Sequence, residues 1–199
     1  MARPRTFDED TVVRAARDQF RRCGYSGTSL DDLVKVTGLA KASIYNAFGD
    51  KHALYIRAFD NYCTEAVEAL GAELGGPDET AAERLRHLIR HMADTTGTAA
   101  EPPVSCFLSK ATAELAARDP EVAGIAQRAF RQIEDVLAST LSAAQRAGAV
   151  SASRDCRSTA RHILVGLRGM EALAAAGVDR AVLADAAESI AQLTLSPGP

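Results

Sequence analysis

Apolar residues recur three and four positions apart from one end of this chain to the other, and alternation of apolar with polar residues is never sustained. The pattern predicts an all-α protein, because strands need the two-residue period and the hairpin turns that are missing. Thr6 and Glu9 are spaced as a capping box, so a first helix is expected from near Phe7. It sets Val12, Val13, Ala16 and Phe20 against Arg14, Arg17, Asp18 and Arg21, and stops around Cys23 before Gly24. A second helix of two turns begins at Thr28 or Ser29, with Asp31 and Asp32 where the helix dipole favours carboxylates, and runs to about Val36. Thr37-Gly38-Leu39 breaks it, and a third short helix follows from about Lys41 to Phe48. Gly49 and Asp50 end that helix and cap a fourth, whose Leu54, Tyr55, Ala58, Phe59, Tyr62 and Ala66 form one stripe before Gly75-Gly76-Pro77.

Beyond that break the pattern predicts five more helices. Thr80 and Glu83 form a second capping box ahead of Leu85, Leu88, Ile89 and Met92. Thr95 to Pro103 is small, polar and closed by proline, a loop before a sixth helix from about Ser105 to Arg118. Asp119 as N-cap with Pro120 in the first position starts a seventh, lined by Ile125, Phe130, Ile133, Val136, Leu137 and Leu141 and ending at Gly148. The eighth spans Asp155 to about Ala175 and the ninth Asp179 to about Leu195.

Composition narrows the class without naming a function. With 47% apolar and 25% charged residues, 14 Gly and 7 Pro, the chain is neither disordered nor fibrous. At 199 residues it buries roughly 70% of its unfolded surface, so its core needs no disulfide or metal. Cys23, Cys63, Cys106 and Cys156 lie too far apart for a zinc module or a disulfide framework and are expected as reduced thiols. No apolar run approaches the ~18 residues of a membrane span, and the first ten residues lack a secretory pattern, so a cytoplasmic protein with no membrane partner is expected. The net charge of −3 conceals an asymmetry, +2 over residues 1–60 against −5 over the remainder.

The basic end is also where the chemistry concentrates. Two short helices joined around Gly38, between two longer ones, make a helix-turn-helix. A helix this short stands only if Leu33, Leu39, Ile44 and Phe48 pack inward. The face left over is Lys41, Ser43, Tyr45 and Asn46: a cation, a hydroxyl, a phenol and an amide, able to grip phosphates and to read base edges in a major groove.

The wording from Gly24-Tyr25 through Thr28-Ser29 to Leu33, and from Gly38-Leu39 through Lys41, Ser43-Ile44-Tyr45-Asn46 and Phe48 to Lys51 and Leu54, closely resembles the N-terminal domain of the TetR (tetracycline repressor) family. The resemblance covers roughly residues 5–60 and is much weaker beyond residue 74. It implies a nine-helix architecture with a helix-turn-helix domain over residues 1–50, a ligand-binding and dimerisation domain over 51–199, and a helix over 50–74 connecting them. It also implies a homodimeric, ligand-responsive repressor. Carried onto this chain, Thr28, Ser29, Tyr45 and Lys51 are the expected phosphate contacts, and Lys41, Ser43 and Asn46 the groove contacts. Val34, Ala40, Ala42 and Ala47 depart from the family's usual residues, which affects packing of the two short helices, capping of the third and groove readout. Arg3 and Arg5 offer a basic arm for a minor groove.

One short helix reads few bases, so a two-fold dimer on a palindromic double-stranded DNA operator is expected. The resemblance makes helices eight and nine the dimer interface, with Ile163, Leu167, Met170, Leu183 and Ile190 at its centre and Gly166 and Gly169 allowing close approach. It implies a pocket among the C-terminal helices, and a small-molecule inducer is expected among helices five to eight, with Phe107, Phe130 and Met170 as apolar lining and His91 or Thr95 as polar anchors. Cys106 falls in the first turn of helix six, where the dipole favours a thiolate, so an electrophile- or redox-sensing thiol acting through the same DNA-binding mechanism is the alternative. His87 and His91 lie four apart without a third ligand, His162 is isolated, and no catalytic triad or phosphate loop stands out. No metal, cofactor or enzymatic activity is expected.

Overall fold

The computed structural model describes residues 7–95 and 106–196, the side chains of Asp94 and Thr95 excepted. Among the described residues there are nine α-helices and no strand: α1 (Glu9–Cys23), α2 (Leu30–Thr37), α3 (Lys41–Phe48), α4 (Lys51–Leu74), α5 (Ala81–Thr95), α6 (Phe107–Leu115), α7 (Pro120–Arg146), α8 (Cys156–Ala175) and α9 (Arg180–Thr194). Arg3, Arg5, Thr6 and most of the expected 95–103 loop lie outside the described residues.

Two starts differ from expectation. Helix α1 starts at Glu9 and not near Phe7, with Asp8 as its N-cap, the carboxylate accepting the Asp10 N–H at 3.2 Å. Before α5, the Thr80 hydroxyl donates to the Pro77 carbonyl and accepts from Arg84, so a 3₁₀ turn over Asp78–Thr80 replaces the capping box with Glu83. The remaining local signals act as written. Asp119 accepts from Glu121 and Val122 N–H groups ahead of Pro120, and Asp155 and Asp179 cap α8 and α9 in the same way. Helix α6 is shorter than its pattern suggests, beginning at Phe107 behind Cys106 and ending at Leu115.

By packing, the chain divides into Met1–Glu65 with Cys106–Gln127, and Ala66–Ser105 with Arg128–Pro199. In the first unit the inner faces of α1 to α4 supply Val12, Val13, Ala16, Phe20, Leu33, Ile44, Leu54 and Phe59, all buried. Around Tyr55 the rings of Phe20 and Phe107 stand edge-on at 4.9 and 5.4 Å, a geometry that adds ring electrostatics to burial.

The second unit has an aliphatic core. Leu85 and Ile89 of α5, Leu137 and Leu141 of α7, Ile163, Leu167 and Met170 of α8, and Leu183 of α9 are buried together. A Cβ at Gly166 would lie 2.6 Å from Ile190 Cδ1, so the glycine lets α8 and α9 close on each other. Ion pairs dress the outside: Arg90 with Glu188, Arg146 with Asp78, and Arg157 with both Glu134 and Asp135.

Candidate nucleic-acid interface

Helix α2 starts on a closed capping box, in which Ser29 Oγ accepts the Asp32 N–H at 3.1 Å and Asp32 Oδ2 accepts the Ser29 N–H at 3.0 Å. It ends at Gly38, whose φ of 70° is left-handed and whose N–H reaches Val34 O at 3.0 Å. The reversal carries the chain straight into α3. There Ile44 and Phe48 turn inward while Lys41, Tyr45 and Asn46 are exposed and Ser43 is half-buried. Ala40 supplies no side-chain hydrogen bond at the N-cap, the consequence expected from an alanine there. Instead Asp31 of α2 reaches Lys41 Nζ at 2.7 Å.

Of the expected phosphate contacts, Ser29 and Tyr45 are exposed. Lys51, the first residue of α4, donates from Nζ to the Thr28 carbonyl at 2.7 Å and lies 4.2 Å from the centre of the Tyr25 ring. Thr28 is corrected: its side chain is fully buried and its hydroxyl donates to the Gly24 carbonyl at 2.7 Å, so it shapes the turn instead of facing outward.

The turn between α1 and α2 has support that one-dimensional reading missed. Lys110 Nζ donates to the carbonyls of Arg21 and Arg22 at 3.1 and 2.7 Å, satisfying the C-terminal end of α1. Glu114 accepts the N–H groups of Tyr25 and Ser26 at 2.9 and 2.8 Å. Gly24, with φ of 75°, is the residue that can pass: a Cβ there would sit 2.7 Å from Glu114 Oε2. Burial alone would raise the Glu114 carboxyl, but the N–H groups of Ser26 and Tyr25, the Ser26 hydroxyl and Lys110 hold it below the ordinary value. The signal in the sequence is only that Lys110 and Glu114 are four apart on one helix face.

A second clasp joins α4 to α7 inside the same unit. His52 Nε2 meets Asp119 Oδ2 at 2.6 Å, and its other ring nitrogen faces Glu121 at 4.0 Å. Burial would raise the Asp119 carboxyl, yet His52 and the capped N–H groups of Val122 and Glu121 lower it. Nearby, the Tyr62 hydroxyl donates to Cys106 Sγ at 3.4 Å.

The residues expected around a ligand are distributed over both units. Phe107 is fully buried against Tyr55, Phe59 and Tyr62 in the first unit, and Met170 is core in the second. Phe130 is half-buried, His91 is exposed with its ring stacked on His87 at 5.7 Å, and the side chain of Thr95 lies outside the described residues. A groove of about 500 Å³ in the second unit is lined instead by Asp78, Arg84, Asp135, Val136, Thr140 and Arg146.

Four of the five expected interface residues are corrected likewise. Ile163, Leu167, Met170 and Leu183 are buried in the chain's own core, and Ile190 packs over Gly166. The apolar residues that α8 and α9 turn outward are Val165, 71% exposed, Leu173, Val182, and Leu193, 73% exposed. Both helices carry apolar residues on two sides, and the more regular stripe faces inward.

Residues 12–58 match the family described as bacterial regulatory proteins of the tetR family, and residues 81–190 match the tetracyclin repressor-like C-terminal domain. The chain is 30% identical over 135 residues to the uncharacterised HTH-type transcriptional regulator YezE of Bacillus subtilis, covering 68% of this chain and 69% of that one. It is 25% identical over 175 residues to the HTH-type transcriptional repressor ComR of Escherichia coli, covering 88% and 83%. Among solved structures, a cysteine-substituted TetR family regulator CifR complexed with 26-base-pair operator DNA aligns over 96% of this chain and 98% of its own, at 25% identity and a TM-score of 0.75. With residues 12–58 and 81–190 each matched by a model of the family, this chain belongs to the TetR family of bacterial transcriptional regulators.

Proposed function

We propose that the protein is a repressor that binds a palindromic operator as a homodimer and releases it when a small molecule binds. Residues 1–50 read the DNA, α4 connects, and residues 51–199 serve ligand binding and dimerisation. The observation that carries the reading is the outward face of α3, where Lys41, Tyr45 and Asn46 stand exposed beside Ser43, flanked by Ser29 and Lys51 at two helix starts. Helix starts offer free N–H groups to phosphates, and the α3 face offers donors to base edges. ComR, a repressor by name, and CifR, bound to operator DNA, support the same role.

Dimerisation is supported by the outward apolar stripe of Val165 and Leu173 on α8 with Val182 and Leu193 on α9. A response to ligand is supported by α6, whose Lys110 and Glu114 hold backbone groups of the reading head, so that a ligand preferring a shifted α6 loosens the turn before α2. A second reading, an electrophile-sensing Cys106, is favoured by its place at the N-cap of that same helix, where an adduct displaces the Tyr62 hydroxyl.

The test is gel-shift titration against duplexes selected by the protein from a random pool. Tyr45→Ala is expected to weaken binding roughly ten-fold with the fold intact, and Lys51→Ala to flatten the salt slope by about one unit. Unchanged binding in both variants refutes the assignment. Alkylation by N-ethylmaleimide separates the two sensing readings: loss of DNA binding that Cys106→Ser prevents favours the thiol.

A further inference from the structure

Lys41 occupies a position that its own helix does not favour. It is the first residue of α3, at the positive end of the dipole, with no acid in that first turn and no side-chain cap from Ala40. The compensating charge comes from α2, where Asp31 Oδ1 lies 2.7 Å from Lys41 Nζ. The two acids of α2's first turn therefore have different work. Asp32 is consumed by the capping box with Ser29, whereas Asp31 reaches across the turn with its side chain 68% exposed.

An acid this close to a DNA-facing cation repels the phosphate backbone, which is a cost unless it selects something. An ammonium has three N–H donors. With one held by Asp31, the others remain for a second acceptor, but that acceptor now approaches a cation beside a carboxylate. A phosphate oxygen is repelled by the carboxylate, while a neutral acceptor is not. In the major groove the neutral acceptors that a lysine takes are guanine O6 and N7.

We propose that Asp31 is a specificity-determining residue, which turns Lys41 from a phosphate contact into a reader of guanine. The inference rests on α3 being the groove-reading helix, and it goes beyond that reading by assigning selectivity to a residue of α2. The preference of Asp31 for the charged form of Lys41 agrees, since the hydrogen bond and charge of Asp31 raise the Lys41 pKa.

The experiment measures affinity for a duplex selected by the wild-type protein and for a scrambled duplex of the same length, over a salt series. Asp31→Asn is expected to tighten the scrambled duplex roughly five-fold, leave the selected one within about two-fold, and steepen the salt slope by about one unit as Lys41 turns to a phosphate. Asp31→Glu is expected to keep the wild-type ratio. In a Lys41→Gln background the effect of Asp31→Asn on the ratio is expected to vanish, because the residue acts through that lysine. Equal tightening of both duplexes, or an effect that persists without Lys41, makes Asp31 a general repulsive charge and overturns the proposal. If the wild-type protein selects no duplex at all, the DNA-reading role of α3 falls and takes this inference with it; selection with an indifferent Asp31 overturns this inference alone.

Discussion

The first unit is held by directional bonds around aromatic rings, the second by aliphatic packing that has no preferred angle. Around Tyr55, the rings of Phe20, Phe59 and Phe107 fix their neighbours' orientation, and Lys110, Glu114 and the His52–Asp119 pair tie side chains to particular backbone groups and capped ends. In the second unit Leu, Ile and Ala side chains of five helices fill the core, and the Arg90–Glu188 and Arg146–Asp78 pairs lie outside it. A part that presents three exposed side chains to a groove, as proposed here, needs its helices held at set angles. A part whose outward face is itself apolar needs only a smooth surface, and Gly169, where a Cβ would meet nothing within 4 Å, keeps that face low.

The largest expected difference between the units follows from that contrast. Phe107→Ala removes a fully buried ring that touches Tyr55, Phe59 and Tyr62, and is expected to cost about 3–5 kcal/mol of stability. Leu193→Ala, equally apolar but 73% exposed, is expected to stay within about 0.5 kcal/mol in the unassociated chain. Urea unfolding at low protein concentration measures both. Similar losses in the two variants erase the distinction between a covered and an uncovered apolar side chain.

The second effect tests what the exposed stripe is for. With a chain mass of 21.0 kDa, sedimentation at micromolar concentration is expected to give about 42 kDa, twice the chain. Val165→Arg with Leu193→Arg is expected to weaken association at least a hundred-fold, about 2.7 kcal/mol, because charges would be buried unpaired. Leu167→Ala is expected instead to cost about 2–5 kcal/mol of folding stability, since that side chain is core. If the arginine pair leaves the mass unchanged, the dimer does not use this face.

The two units also differ in how much of them could be read from sequence. Gly38 as pivot, Ser29 as cap, and Asp119 ahead of Pro120 were legible because each signal acts within four residues of itself. Leu33, Ile44 and Phe48 were legible as core because a short helix has one apolar side to bury. Thr28 was not: its neighbours do not say whether a hydroxyl faces out or turns back to Gly24. Lys110 and Glu114 were not either, since their partners are backbone groups 88 and 89 residues away, and any exposed-looking lysine and glutamate spell the same pattern. On α8 and α9 the obstacle was surplus, not shortage. Apolar residues occupy both sides, and periodicity identifies stripes without saying which one the chain itself covers.

The smallest effect is a dependence on pH that the two units should show differently. In the first unit the carboxyls of Glu114 and Asp119 are held below their ordinary values by donors partly withdrawn from water. A depressed carboxyl binds fewer protons in the folded chain than in the unfolded one. Its stabilisation is therefore complete above about pH 4, the ordinary carboxylate range, and is lost as pH falls through the lower folded value. In the second unit Asp78, Glu134 and Glu188 are lowered as well, by Arg146, by Arg161 with Arg157, and by Arg90. The Asp78–Arg146 and Glu188–Arg90 pairs face water, so added salt should screen them, whereas the N–H groups of Tyr25 and Ser26 keep their hold on Glu114. Glu114→Gln keeps an acceptor for those N–H groups and gives up the charge. It is expected to lose a modest amount of stability at pH 7, on the order of 1 kcal/mol, and to match the wild-type protein where Glu114 is already protonated. The measurement is unfolding free energy from pH 7 to pH 3 at low and at high salt. A Glu114→Gln profile parallel to wild type throughout, or an acid loss wholly abolished by salt, would mean that the polar clasp contributes no more than the surface pairs do.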